Sequence, residues 1–342
     1  MISGCQPPPV EQLKAKTRKL QYASKFEFLN NREVRVIEAW PGATPKNYRV
    51  SKVPNKIICT STTHLHFLEL LGLEDKLVGF PNTRLIYSPQ FNERVEKGSI
   101  RDLGPDGNIN IELVIALQPD LVIAFDAGND SRYLKQIEDA GIPVILNADY
   151  METSALGRAE WIKFFGWIFQ QEEKADSIFQ SIAMNYMENR DLILDKQLPK
   201  PEIMSGTVYG DKWFLPGGKN WFAKFFEDAG GEYLWKENNN EGWLELDIEA
   251  IVDTGIGADV WIGTGGFYTK SDMLSAEERY QTFEAFKASE VYNYGKRIIP
   301  NGGNDFFESG YARPDIVLMD LIRILHPQLL PHYETRYFLK LQ

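Results

Sequence analysis

Asn110-Ile111-Glu112-Leu113-Val114-Ile115-Ala116-Leu117, leading to Pro119-Asp120-Leu121-Val122-Ile123, is the stretch whose reading decides the fold. It holds a capping Asn, an apolar residue, a Glu at the second helical position, a short helix, and then an Asp before a buried strand. The same order returns at Asp247-Ile248-Glu249-Ala250-Ile251-Val252, which leads to Ala258-Asp259-Val260-Trp261-Ile262. The interval is far longer than a solenoid period, so the repetition points to two similar lobes and not to a repeat array.

Outward from this pair, short β-branched runs alternate with longer helical periods from Asn55 onward, the pattern of parallel βαβ units. Lys56-Ile57-Ile58-Cys59 reads as the first strand. Thr60 to Thr63 then caps a helix carrying Leu65, Leu68, Leu70 and Leu71 and ending at Gly72. Further strands are expected at Leu77–Phe80, Leu121–Phe125 and Val144–Leu146, with a helix over Ser131–Ala140 stopped by Gly141-Ile142-Pro143. A second lobe begins near Pro201. Between the lobes, Ser154 to Lys196 has no Pro and only two Gly, and its apolar spacing predicts two helices split near Gln170–Glu172, the first of them a stiff rod between the lobes. The expected fold class is α/β, two lobes each with a central mainly parallel sheet flanked by helices, joined by a long connecting helix. The expected boundaries are an anchor and tether over 1–25, a first lobe over 26–152, connecting helices over 153–197 and a second lobe over 198–342.

The whole chain of 342 residues, 43% hydrophobic and 25% charged, has the composition of a soluble globular protein. Its 37 Lys and Arg against 48 Asp and Glu leave a net charge of −11, which repels phosphate backbones and speaks against a nucleic-acid partner. No apolar run approaches the ~20 residues that cross a bilayer. No G-x-S-x-G elbow, P-loop or G-x-G-x-x-G turn occurs, and no carboxylate pair is marked for acid and base work. His64 and His66, if helical, lie about 200° apart and do not chelate one metal from one face. No catalytic residue, resident cofactor or protein metal site is therefore expected.

The two cysteines exclude a disulfide scaffold and a four-thiolate zinc site. Cys59 reads as a small buried hydrophobe. Ile2-Ser3-Gly4-Cys5 resembles the lipobox of a bacterial lipoprotein, which makes Cys5 the expected lipidated residue and the chain an extracytoplasmic, membrane-anchored lipoprotein. Residues 6 to 25, with Pro7-Pro8-Pro9 and then Lys14, Lys16, Arg18 and Lys19, read as its tether.

Two α/β lobes, a helical connector, the lipobox-like Cys5 and the repeated N-x-E or D-x-E helix start together resemble the helical-backbone (class III) substrate-binding proteins of ATP-driven importers for ferric siderophores, haem and cobalamin. The resemblance covers about Tyr48 to Leu330 and rests on named pieces: Ser61-Thr62-Thr63-His64, the Asn110 stretch, Leu156-Gly157-Arg158-Ala159-Glu160-Trp161, Asp228-Ala229-Gly230-Gly231, and Arg313-Pro314-Asp315-Ile316-Val317-Leu318 running to His326-Pro327. It implies that Glu112 and Glu249, one on each lobe, dock into basic pockets of the permease dimer. The first turn of a helix favours a Glu by about 0.3–1 kcal/mol on its own account, so the repetition has a purely local reading as well.

The resemblance also implies a ligand held between the lobes at the carboxyl ends of the parallel strands. From the first lobe the candidates are Thr62, Thr63, His64, Arg84, Tyr87, Asp126 and Asn129. From the second they are Tyr209, Trp213, Trp221, Asn304, Asp305, Phe306 and Arg313. Flat aromatics suit a large conjugated ligand, and an Arg suits an anionic chelate. The expected activity is capture of an iron complex, a ferric siderophore or haem that carries its own metal, for delivery to the permease. A cobalamin or cobinamide receptor is the alternative within the family. A two-lobed transferase-type enzyme and an adhesion lipoprotein are the alternatives outside it.

Overall fold

The computed structural model describes residues 19–128, 132–194 and 196–342, so Cys5 and Asn129 lie outside the described residues. The chain first forms an antiparallel meander, β1 (Phe26–Asn30), β2 (Glu33–Val36) and β3 (Lys46–Arg49), which buries Phe26, Val34, Val36 and Tyr48. Alternating burial is the mark of a sheet with one wet face, and it was not read from the sequence.

The first large sheet holds β4 (Ile57–Cys59), β5 (Leu77–Phe80), β6 (Arg101–Asp102), β7 (Leu121–Ala124) and β8 (Val144–Leu146) in the order β6-β5-β4-β7-β8, with every pairing parallel. β7 is buried at all four residues, which an apolar run tolerates only when helices cover both faces. Those helices are α1 (Thr63–Leu71), α2 (Pro89–Glu96), α3 (Ile111–Leu117) and α4 (Arg132–Asp139).

The second large sheet has the order β12-β9-β14-β15-β16. β9 (Glu202–Ser205), β12 (Glu232–Tyr233), β14 (Val260–Ile262) and β15 (Val291–Asn293) run parallel, and β16 (Leu339–Lys340) closes one edge antiparallel. A small antiparallel sheet of β10 (Thr207–Tyr209), β11 (Lys212–Pro216) and β13 (Trp243–Leu246) grows from the end of β9.

The connector is α5 (Ala155–Glu160), α6 (Ile162–Ile168) and α7 (Glu172–Leu194). The expected break at Gln170 is present, with φ 55°. The expected rod is not the first helix, however, which is split again at Trp161 and buried throughout, but α7, whose 23 residues span about 34 Å. The helices α6 and α7 pass so closely that a Cβ on Gly166 would stand 2.5 Å from the Cβ of Ala175. Helices α8 (Trp221–Asp228), α9 (Ile248–Gly255), α10 (Lys270–Ala276), α11 (Glu284–Lys287), α12 (Ser309–Ala312) and α13 (Pro314–Leu325) complete the second lobe.

One apolar core runs unbroken from the first sheet through the connector to α8 and α13, and a separate one fills the space beneath the small sheet. Buried carboxylates tie the start of the fold to this connector. Glu160 accepts the N–H groups of Gln21, Tyr22 and Ala23 at 2.7–3.0 Å and pairs with buried Lys163 at 2.9 Å. Glu152 accepts those of Ser24 and Lys25 and the indole N–H of Trp161. Replacing Glu160 with Ala strands three N–H groups and leaves the buried Lys163 ammonium only the Asp176 carboxylate at 3.3 Å, so the expected loss is about 3–5 kcal/mol. Thermal melting and trypsin cleavage at Lys25 check this; wild-type melting with Lys25 still protected would refute it.

Candidate ligand-binding site

A cavity of about 300 Å³ opens at the carboxyl ends of the first lobe's strands. Thr60 to Thr63 come from the end of β4, Phe80 and Pro81 from β5, Phe125 from β7, and Asp149 and Tyr150 from the turn after β8. The second lobe closes the cavity with Phe307 and Tyr311. This is where an open parallel sheet leaves unpaired strand ends, backbone donors and helix N-termini pointing one way. The lining is mainly aromatic and hydroxyl. Phe125 meets Tyr150 edge-on at 4.8 Å, and the Tyr150 hydroxyl donates to the Ala39 and Asp126 carbonyls at 3.1 Å.

Beneath the lining lies a buried charge. Arg158 of α5 donates through Nη2 to the Tyr150 carbonyl at 2.6 Å and lays its guanidinium over Trp221 at 4.0 Å and over Tyr311 at 4.9 Å. Those two rings belong to the second lobe, so one cation from the connector joins both lobes under the cavity. Asp149 faces the cavity. Burial pushes its acid up to about 6, against the opposing pull of the Thr63 hydroxyl and of Arg158.

Thr62 and Thr63 line the cavity. Thr62 stands at the cap position of α1 but makes no cap bond, because its hydroxyl donates across the cleft to the Phe307 carbonyl at 3.0 Å. His64 turns the other way. It is wholly buried, 5.9 Å from Phe165, and desolvation drives its imidazole down to about 3, so it is a neutral core residue outside the cavity lining. Arg84 is exposed beside Leu85, which does line the cavity. Tyr87 packs on Arg297 at 5.1 Å, outside the lining. Asp126 is buried with its carboxylate accepting from Gly128 N–H.

In the second lobe the expected residues stand outside the cavity lining, each for a distinct reason. Trp213 belongs to the separate core, stacked on Trp261 at 5.2 Å with its indole N–H on the Ser205 carbonyl. Tyr209 is 79% exposed on the small sheet and is not part of the cavity lining. Trp221 backs the wall through Arg158 and does not line it. Asp305 is held by Arg297 at 2.6 Å and Ser309 at 2.5 Å, and Asn304 caps the turn at Phe306. Phe306 is stacked on Tyr294 at 4.6 Å inside the core, while its neighbour Phe307 faces the cavity, as successive residues of a 3₁₀ turn must diverge. Arg313 is engaged by Asp315 through two bonds of 2.7 and 2.9 Å. The lining residues that sequence reasoning missed, Phe80, Phe125, Asp149, Tyr150 and Tyr311, mostly follow strands that it did find; position just past a strand end was the available signal.

Glu112 and Glu249 are exposed in the first turns of α3 and α9. Their caps differ: Asn110 accepts from Leu113 N–H at 3.0 Å, whereas the Asp247 carboxylate pairs with Lys212 at 2.6 Å. Glu249 meets Arg279 at 3.1 Å in an exposed pair. Among the described residues no group of three His, Cys, Asp or Glu side chains is arranged to hold a metal ion.

Asp149 sets a pH signature. Its acid is raised above the unfolded value, so the folded chain holds the extra proton and this group's contribution is full below about pH 4 and lost as pH rises to about 6. The stability difference between wild type and Asp149→Asn is expected to fall by on the order of 2 kcal/mol across that window, read by melting at each pH. A constant difference would contradict the assignment.

Residues 57–298 match the periplasmic binding protein family. A protein of Bacillus subtilis described as an uncharacterized ABC transporter substrate-binding lipoprotein is 25% identical over 316 residues, covering 90% of each chain. A vitamin B12-binding protein of Vibrio campbellii is 28% identical over 183 residues, 53% of this chain and 61% of that one. Among solved structures, a periplasmic haem-binding protein of Pseudomonas aeruginosa superposes with a TM-score of 0.61 at 18% identity, over 80% of this chain and 93% of that one. The match spans most of the fold, from the first parallel strand past the last, and the chain belongs to the periplasmic binding protein family.

Proposed function

We propose that this substrate-binding protein of an ATP-driven importer captures a neutral or cationic metal chelate, such as a hydroxamate-type ferric siderophore or a corrinoid, in the cleft between its lobes. The observation that carries this is the charge of the lining. Among the described residues the cavity wall holds Asp149 and Asp106 and no Lys, Arg or His. The arginines foreseen as anion partners are placed otherwise, since Arg313 is bound to Asp315 and Arg84 stands outside the wall. Arg158 lies beneath the floor, outside the lining, with Nε and Nη2 on backbone carbonyls and its face on two rings. Haem with its two propionates, or a catecholate complex, would enter a wall with no cation to meet it, at a desolvation cost left uncompensated. The chelate brings its own metal.

The location follows the relatives. The Bacillus relative is named a lipoprotein, and among the described residues no helix is long and apolar enough to cross a membrane. The chain is extracytoplasmic and membrane-anchored, with Cys5 as the lipidated residue of this reading. Glu112 and Glu249 are its contacts with the permease dimer, where separated carboxylates give orientation and salt-dependent association more than raw affinity.

Two experiments test the reading. Tryptophan fluorescence of the full chain, titrated with ferrioxamine, dicyanocobinamide, haemin and a ferric catecholate and corrected for inner-filter loss, is expected to show saturable quenching by one of the first two, at least about tenfold tighter than by either anion, the scale of one charge-assisted contact. Tight haemin or catecholate binding would refute the charge argument. Charge reversal at both Glu112 and Glu249 is expected to abolish uptake in cells while leaving affinity for the same chelate unchanged; full uptake by the double variant would end the docking assignment.

A further inference from the structure

The two lobes meet directly along one wall of the cleft, through a carboxylate that has no cation partner among the described residues. Glu308, on the second lobe between the 3₁₀ turn Asp305–Phe307 and α12, is 1% exposed. Its two oxygens accept the N–H of Tyr87 at 2.8 Å and of Ser88 at 3.0 Å, residues of the first lobe at the start of α2. Neither donor has a backbone partner in its own lobe among the described residues, so both are satisfied from the other one. Neighbouring contacts converge on the same line. The Thr62 hydroxyl reaches the Phe307 carbonyl, Arg297 lies over the Tyr87 ring, and Gly303 touches the Ile86 backbone so closely that a Cβ there would stand 2.7 Å from the Ile86 oxygen.

We propose that Glu308 is a latch, a positioning residue whose bonds to the Tyr87 and Ser88 amides set the separation of the lobes and so the width of the ligand cleft. Phe307, the residue before it, and Leu85, two before Tyr87, are cavity wall, so any change at the latch moves that wall. The latch is weak by construction. The groups that face Glu308 are the carboxylates of Glu69, which also accepts from the Ser88 hydroxyl and meets His66 at 2.7 Å, and of Asp305, whose charge Arg297 at 2.6 Å and Arg336 at 3.6 Å balance. Burial first, and then those two carboxylates, hold the Glu308 acid at about 8, while the amide bonds pull the other way. Opening returns the group to water, where it ionises freely, so closure takes up a proton and becomes less favourable as pH rises toward 8.

The test needs no ligand, so its failure and the failure of the chelate reading are separable. Spin labels at Ile115→Cys and Ile256→Cys, both exposed and one on each lobe, report inter-lobe distance in the full chain carrying Cys5→Ser; Cys59 is buried and stays unlabelled. In wild-type background the distance is expected to lengthen between pH 6 and pH 9. Glu308→Ala is expected to be longer at both values and to lose that pH response, with Gly303→Ala, which wedges the same junction, as the positive control that the labels report opening. A Glu308→Ala protein with wild-type distances, or with the wild-type pH response, overturns the proposal. Circular dichroism of each variant separates a shifted cleft from a misfolded chain.

Discussion

A guanidinium buried between two lobes must find acceptors and a low-energy surface without water, and the way Arg158 does so organises the molecule. Its acceptors are backbone carbonyls of Tyr150 and Glu152, which pin the turn after β8 to the start of the connector. Its faces are Trp221 and Tyr311, which belong to the other lobe. A cation held this way is expensive to move, because either lobe swinging off would strip the charge of rings or of carbonyls in a dry site. The carboxylates around it finish the arrangement: Asp149 supplies countercharge from the cavity side, while Glu152 and Glu160 hold the incoming chain over residues 21–25. The start of the fold, the connector and both lobes share one electrostatic centre.

That centre explains why the longest helix is not the pivot. α7 runs about 34 Å, but its faces pack on α6 and α13 along its length, so it behaves as a brace. The short, fully buried α5 and α6 carry the relation between lobes. If Glu308 is the latch proposed above, the Arg158 site is the fixed side of the cleft and the junction at Glu308 the side that parts.

The sequence made the architecture legible wherever periodicity was strong. The fully apolar β4, β7 and β8 and the duplicated helix starts at Asn110 and Asp247 could be read because a parallel strand covered on both faces has no polar alternation to hide it. The early meander escaped because its inward residues are few and its outward ones charged. The site was legible only as a place: Thr62 and Thr63 fell in the lining because strand ends gather there, but the aromatics chosen for stacking, Trp213 and Phe306, turned out to be filling cores. A flat ring carries the same composition signal whether it meets a ligand or a tryptophan, and a single position on a 3₁₀ turn separates Phe306 from Phe307. Arg158 was visible as part of a motif, and nothing local marks it as facing two foreign rings.

The mirrored acidic starts gain meaning from their inequality. If helix dipole preference alone placed Glu112 and Glu249, the two turns would be solved alike, since the dipole asks only for negative charge near free N–H groups. They are not. Asn110 closes its own helix, leaving Glu112 with no ion pair among the described residues. Asp247 gives its carboxylate to Lys212 and Glu249 shares Arg279, in pairs so exposed that solvent and salt screen most of their attraction. What the two lobes keep in common is an exposed carboxylate one residue into a helix, while the local chemistry around it differs. A shared surface feature built on dissimilar supports is what recognition by one symmetric partner would preserve, and a contact that must first displace Arg279 on one lobe but nothing on the other gives an otherwise symmetric partner a way to tell the lobes apart.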